Sequence, residues 1–465
     1  MSEKTINIPV VIIGAGLTGL ALAFYLQRKG IDFLVIEREE RPGGVIRTFR
    51  ENGFTFEAGP NTGVLGNLEM MQLFEDLKAG CQLEIANPEA KRRLIWKHGR
   101  WHSLPASLKQ AVTTPLFSFK DKLRILGEPF RARGKDPLES VAELVKRRMG
   151  ASFLDYAVDP FISGIYAGNP DTLITRFALP KLYNLEQTYG SFIKGAIKKK
   201  VKEKGPKPSR EVFSVKGGLQ CLMSALTDAV GRQRIICGMS YTSVSAARNH
   251  FEIMAEGPDK KMLIHSPVVV STVGAHGLGS LMPFVGKDDL EAITSLEYAR
   301  VVQVVLGFRQ WTGSDINAFG GLVPSKEKRR ILGVLFTSSF LSGRAPSGGA
   351  LLNVFMGGAR HPEYFNLPEK EILKIVEEEL SQMMGLPTYS PDLVKVFRYP
   401  YAIPQYGADS ATRIQAISQI QQSYPGLILA GNLHEGIGMA DRVAQAVHVA
   451  DKVEALLNVS KMGNA

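Results

Sequence analysis

Apolar positions fall first into a short continuous run at Val10–Ile13, then into helical spacing from about Leu17 to Lys29, then into a second run at Phe33–Glu37. Short apolar runs flanking an amphipathic period read as buried strands around a helix, so the chain opens as a βαβ unit. The uncharged stretch from Pro9 to Leu26 is nearly long enough to cross a bilayer, but Gly14, Gly16 and Gly19 interrupt it, which favours strand, loop and helix over a span. From Asn87 to about Arg210 the pattern turns to helical periods, among them Lys120–Arg131 and Pro137–Met149, with basic faces and intervening prolines. This segment reads as a helical insertion, closed by a charged, proline-broken stretch from Ile197 to Pro208 that is expected to form an exposed, mobile loop.

Phe213–Leu219 then reads as a turn into a helix, and alternating strands resume through Val268–Thr272. Between Leu281 and Tyr399, β-branched and aromatic runs at Val301–Phe308, Leu332–Phe336 and Leu351–Met356, with one helix near Glu369–Met384, predict an antiparallel sheet. The chain closes on a strand at Leu427–Ala430, a glycine turn at Gly431–Gly438 and a helix from about Met439 to Leu457. The pattern predicts an α/β, α+β multidomain chain. Residues 1–86, 211–280 and 400–465 form a Rossmann-like nucleotide-binding domain, 87–210 a helical domain, and 281–399 a substrate domain built on the antiparallel sheet.

Composition narrows this little: 465 residues, 45% hydrophobic and 22% charged, are ordinary globular usage. The net charge of +11 favours anionic ligands or membrane surfaces without choosing between them. Cys81, Cys221 and Cys237 are odd in number and far apart, which excludes a disulfide framework and a CxxC zinc site and fits a reducing compartment. No secretory signal is evident, so a cytoplasmic location is expected.

The chemistry begins with Gly14-Ala15-Gly16-Leu17-Thr18-Gly19, set between the first strand and the first helix. Gly14 permits the tight turn, Gly16 lets backbone approach a pyrophosphate, and Gly19 lets the helix pack closely on the sheet, with phosphate charge at the helix N-terminus. Glu37 closes the second strand about twenty residues on, where a carboxylate accepts from an adenosine ribose. A second glycine pair, Gly43–Gly44, follows in Arg41-Pro-Gly-Gly44.

Glu37 to Gly44, together with Gly53-Phe-Thr-Phe-Glu-Ala-Gly-Pro-Asn61, resembles the flavin amine oxidase superfamily, and Gly426 to Asp441 supports the likeness. The resemblance implies noncovalent FAD, held by the 14–19 loop with Glu37, Arg38, Gly43, Gly44, Gly59, Pro60, Asn61, Thr62, Tyr241, Tyr399, Asn432, Gly436, Ile437, Gly438 and Met439. It also implies that the C-terminal helix aims its positive end at the flavin. Asn432 stands where many relatives carry Asp, so an amide must supply that hydrogen bond.

Three further segments look like the oxygen-dependent protoporphyrinogen oxidase family: Phe161-Ile-Ser-Gly-Ile-Tyr-Ala-Gly-Asn-Pro170, Phe213-Ser-Val-Lys-Gly-Gly-Leu219 and Tyr399-Pro-Tyr-Ala-Ile-Pro-Gln-Tyr406. That resemblance implies an FAD domain, a substrate domain and a membrane-associated helical domain. The implied reaction is oxidation of protoporphyrinogen IX by oxygen, with coproporphyrinogen III as the alternative substrate. A different amine or carotenoid oxidoreductase, or a nonenzymatic basic membrane adaptor, stands further off. Asn61 replaces an arginine that some relatives place after the Gly-Pro pair, so Arg93, on the same strand face as Ile95, is the candidate cation for a substrate propionate. Gly164 is carried over as a backbone carbonyl toward a pyrrole N–H. No catalytic base is assigned. His98 and His102 fall in an extended segment and are not read as metal ligands, and nothing points to nucleic acid. Peripheral membrane contact is expected of the helical segment, and a homodimer is compatible with the sequence.

Overall fold

In a computed structural model describing residues 4–202 and 206–462, Val10–Ile13 is the middle strand of a five-stranded parallel sheet. The strand order is Ile235–Ile236, Leu34–Ile36, Val10–Ile13, Val268–Ser271 and Leu427–Leu429. Its strands are continuous apolar runs because both faces are covered. Val10, Ile12, Val35 and Val270 pack against helices Leu17–Arg28, Gln220–Val230 and Met439–Met462. Val11, Ile13, Leu34 and Val269 pack the other way, toward a four-stranded sheet. That second sheet contains a strand the sequence pattern did not suggest, Lys4–Asn7, which pairs in parallel with Lys261–Ser266.

The larger sheet has seven strands, in the order Leu393–Pro404, Tyr298–Phe308, Ala350–Gly357, Gly333–Phe336, Gly320–Leu322, Arg93–Lys97 and Arg100–Ser103. Alternation splits it cleanly. Val302, Val304, Leu306, Val334, Phe336, Leu352 and Val354 cover helix Glu369–Met384, while Val301, Gln303 and Val305 face the other way. Two expectations are corrected. Residues 93–103 are extended, as read around Arg93, Ile95, His98 and His102, but they lie in this sheet and not in the helical domain expected over 87–210, and the sheet is not wholly antiparallel, since Gly320–Leu322 runs parallel to Arg93–Lys97. Helix Lys287–Thr294 and shorter helical turns also interrupt the region for which one helix was expected.

The helical segment is shorter-grained than its periodicity suggests. The helix expected over Lys120–Arg131 stops at Leu126, and Gly127 leads into a 3₁₀ turn at Glu128–Phe130 with Pro129 inside it. The helix expected from Pro137 starts only at Val141, where Ser140 and Glu143 form a capping box. The stretch expected as a loop from Ile197 is helical through Lys202, and residues 203–205 lie outside the described residues. These pieces are held together by buried ions: Arg148 donates to Glu128 at 2.6 Å and to Glu186 at 2.8 Å, all three sealed from solvent. Ser191 and the Phe192 N–H also donate to Glu128, and these bonds together with Arg148 hold its carboxyl below the usual range against the opposing effect of burial. Phe119, Leu123, Leu126 and Phe130 lie exposed on one side, Phe130 at 87%. Among the described residues, no helix is long and apolar enough to cross a membrane.

Candidate dinucleotide site and the adjoining sheet face

The 14–19 loop has the geometry its glycines require. Gly14 sits at φ +102°, where a side chain would be strained, and a Cβ on Gly19 would stand 1.9 Å from Gly14 O. Gly16 differs: a Cβ there would meet nothing within 4 Å, while Gly44 presses toward it, its own Cβ position 3.1 Å from Gly16 Cα. The helix that starts at Leu17 has no side-chain cap and no acid in its first turn, so its leading N–H groups face that open space. Gly43 N–H donates to Ala15 O at 2.8 Å, fixing the second glycine pair beside the first.

Glu37 is buried and accepts from Ala15 N–H at 2.6 Å and from Glu39 N–H at 2.9 Å. Its backbone carbonyl accepts from Met239 N–H at 3.0 Å, which brings the 238–241 segment to this end of the site. Tyr241 begins the next strand with its ring about half exposed, and Arg38 is exposed and paired with Glu39.

At the other end, Tyr399 ties the turn after the hairpin of strands Arg47–Glu51 and Phe54–Ala58 to the large sheet. Its hydroxyl accepts from Gly59 N–H at 2.6 Å and donates to Gln303 Oε1 at 2.9 Å, and Gln303 Nε2 donates onward to Glu57 O and Asn353 Oδ1. Burial pushes the Tyr399 phenol up to about 12. Asn61 is buried, with Nδ2 donating to Gly59 O at 3.3 Å and Oδ1 lacking any partner. A buried amide oxygen left unpaired is costly, so an absent donor is implied at Asn61. Pro60 and Thr62 flank it on the same turn.

The C-terminal turn is equally determined. Tyr298 donates to Asn432 Oδ1 at 3.1 Å, and Tyr406 Oη lies 3.0 Å from Asn432 O and 3.1 Å from Gly436 O. Arg442 donates to the carbonyls of Gly431, His434 and Glu435. The N-terminus of the C-terminal helix is not bare: Asp441, in the first turn after Ile437, Gly438 and Met439, accepts from Gly438 N–H at 3.0 Å and partly offsets the dipole there.

Registers connect this end to the substrate candidates. Gln303 pairs with Phe355, Phe355 with Gly333, Gly333 with Leu322, and Leu322 with Ile95, so these residues form one row across one face. Arg93 sits one row along, opposite Gly320, on the same face as Ile95; Arg92 turns away to Asp315. Arg93 is exposed, with its guanidinium 5.8 Å from the Phe319 ring centre and, among the described residues, no carboxylate partner. Five strand steps separate it from Tyr399, roughly 24 Å at the usual spacing of about 4.8 Å. Gly164 lies in helix Asp159–Ile165, where a Cβ would meet Leu322 Cδ2 at 2.3 Å. Gly168 N–H, four residues on, bonds Ile162 O instead, leaving the Gly164 carbonyl without its helical donor.

What sequence reasoning missed is the support behind these loops. Glu57 accepts from Arg344 at 2.9 Å, from Leu219 N–H and from Thr48, while Arg344 also donates to Ser214. The Gly217–Gly218 turn is thereby seated on the hairpin, since a Cβ on Gly218 would strike Thr48 at 2.2 Å.

Open space over Gly16, a buried acid beside it and an orphaned amide at Asn61 fit a flavin dinucleotide, and the family profile described as flavin containing amine oxidoreductase matches residues 17–453. The chain belongs to that family, and it is an FAD-dependent oxidoreductase. It is similar to protoporphyrinogen oxidase 2, chloroplastic/mitochondrial, of Arabidopsis thaliana, at 29% identity over 96% of this chain and 93% of that one. It is also similar to coproporphyrinogen III oxidase of Bacillus subtilis (strain 168), at 26% identity over 94% and 96%. A crystal structure from Exiguobacterium sp. 255-15 superposes with TM-score 0.80 at 24% identity, covering 98% of this chain and 100% of that one. Reduced UDP-galactopyranose mutase gives 0.74 at 17% identity, covering 97% and 96%. The two structural likenesses establish the fold.

Proposed function

We propose that the chain oxidises protoporphyrinogen IX to protoporphyrin IX with molecular oxygen as acceptor, in three two-electron steps. The observation that carries this reading is likeness along 96% of the chain to an enzyme named for that substrate. FAD, when bound, supplies the two-electron oxidation. Glu37 and the first-turn N–H groups at Leu17 and Thr18 are assigned to its adenosine and pyrophosphate, and Asn61, Asn432 and the 436–439 turn to its remaining length. The apolar wall of Val301, Leu332, Phe355, Tyr399 and Ala402, packed beside Ala167, suits a flat macrocycle held by contact area rather than by many polar groups. Gly164 O is offered to a pyrrole N–H, and Arg93 to a propionate at the far end of the row.

Coproporphyrinogen III is kept as a second substrate because the bacterial relative is named for it. A fluorescence assay of porphyrin formation from each porphyrinogen separates the two. Faster turnover of protoporphyrinogen supports the main reading, faster turnover of coproporphyrinogen moves the assignment, and failure with both sinks it. The exposed apolar row from Phe119 to Phe130, flanked by Lys120, Lys122, Arg124, Arg131 and Arg133, supports peripheral attachment to a membrane, on its cytoplasmic face.

A further inference from the structure

The four-stranded sheet carries a group of side chains that the flavin site does not use. Strand Phe251–Glu256 turns Phe251, Ile253 and Ala255 inward to the core, so Glu252 lies on the opposite face, and His250, two residues earlier, shares that face. His265, on strand Lys261–Ser266, is the register partner of Glu252. Backbone pairing fixes the group on three sides. Ala247 N–H donates to His250 O at 2.9 Å, closing the hairpin turn, and His265 is also in register with Asn7 of the N-terminal strand.

The result is two imidazoles and one carboxylate converging on one spot. The His250 and His265 rings are 4.8 Å apart, and Glu252 Oε1 lies 3.8 Å from His250 Nε2 and 4.0 Å from His265 Nε2. One ligand atom from each residue falls within 4.8 Å of the other two. His250 Nε2 is shielded from water and has no hydrogen-bond partner, an arrangement that is unfavourable unless something else takes its lone pair or proton.

We propose that His250, Glu252 and His265 form a binding site for a borderline first-row divalent cation, with Zn²⁺ as its representative. Nitrogen and carboxylate donors at about 2.0–2.2 Å from such an ion stand roughly 3.4 Å from one another in a tetrahedron, so small side-chain rotations close the present separations. Two imidazoles with one carboxylate suit zinc, nickel or copper rather than calcium or magnesium, which take oxygen donors. Three protein ligands leave a position for water. The ion would clasp the hairpin turn to the strand that leads, through Ser266, into the central parallel sheet, and it sits apart from the flavin loops.

The test uses the full-length flavin-loaded protein after dialysis against a chelator, titrated with Zn²⁺ by calorimetry and with Co²⁺ by visible absorption. One ion per chain is expected, together with a Co²⁺ spectrum showing nitrogen ligation. His250→Ala and His265→Ala should each weaken binding by at least the roughly 10- to 100-fold typical of losing even an outer-shell partner, with flavin absorbance unchanged. Absence of saturable binding, or equal affinity in the His250→Ala/His265→Ala double variant, would overturn the site.

Discussion

Glu57 and Arg344 meet at 2.9 Å with both side chains essentially closed to solvent, and the pair joins the hairpin that leads into Gly59 to the loop preceding strand Ala350–Gly357. Removing one partner of such a pair strands an uncompensated charge. Arg344→Ala is expected to cost about 3–5 kcal/mol in denaturant unfolding and to lower flavin content, because Leu219 and Thr48 share the same carboxylate. An Arg344→Met/Glu57→Leu pair should recover much of that loss; equal loss in the single and double variants would show that the charges are not the cause.

Gly16→Val should fold and be colourless. A Cβ there would meet nothing within 4 Å, so the added side chain enters the space assigned to the pyrophosphate. Absorbance of the purified variant near the flavin bands checks this. In the unaltered protein acid precipitation should release all of the yellow chromophore, since the FAD is expected to be noncovalent; colour in the pellet would contradict that.

Tyr399 gives a pH prediction with a definite sign. Its phenol is raised to about 12 while an unfolded tyrosine titrates at 10.0, so the stability this group contributes is complete below pH 10 and is lost as pH rises toward 12. Tyr25, Tyr156 and Tyr166 are raised to about 12 as well, each chiefly by burial, and steepen the same decline. Tyr399→Phe should flatten the loss between pH 10 and 12. It should also cost about 1–3 kcal/mol at neutral pH, because Gly59 N–H and Gln303 lose their partner. A parallel pH profile in the variant would argue that Tyr399 ionises freely.

The exposed row of Phe119, Leu123, Leu126 and Phe130 should bind anionic vesicles at low salt. Burying one such side chain is worth about 1.5–3 kcal/mol, and each nearby base about 1 kcal/mol. Phe130→Asp with Leu126→Asp should abolish co-sedimentation without changing thermal stability. If the unaltered protein ignores the vesicles, the surface has another role.

The parts of this fold legible in the sequence are those whose requirement is local. Gly14 and Gly19 are forced by a turn and a helix contact within a few residues, and the Val10–Ile13 run is apolar because both faces are covered. Arg93–Lys97 was misplaced because its partner, Gly320–Leu322, lies more than two hundred residues away and the pairing leaves no periodic trace. The Glu128, Arg148 and Glu186 network was equally hidden, since charges in an amphipathic helix ordinarily face water. At the candidate site, Gly16, Glu37 and Asn61 could be named from motif and resemblance. Tyr298, Gln303 and Arg344 come from a strand and a loop far away in sequence that only the folded chain brings to the site, while Arg442, on the C-terminal helix, braces the turn just before it.

Arg93 is the remaining test of how an anionic substrate is held. It stands on the face shared with Ile95 and with Leu322, which packs against Gly164, and it has an aromatic neighbour in Phe319 but no carboxylate among the described residues. An exposed guanidinium without a carboxylate partner among the described residues is free to take a propionate. Its distance from Tyr399 means that it reaches only the end of the macrocycle remote from the flavin loops. Arg93→Ala is expected to weaken porphyrinogen binding by about 1.5–3 kcal/mol, roughly 10- to 150-fold in KM, with flavin content unaltered. Asn61→Arg tests the other end: the substitution replaces the orphaned amide oxygen with a guanidinium, and it should be tolerated or lower KM only if the space that Asn61 faces borders substrate as well as cofactor. Unchanged KM and kcat/KM in Arg93→Ala would make Arg93 a surface residue and leave the propionates in solvent or on another cation.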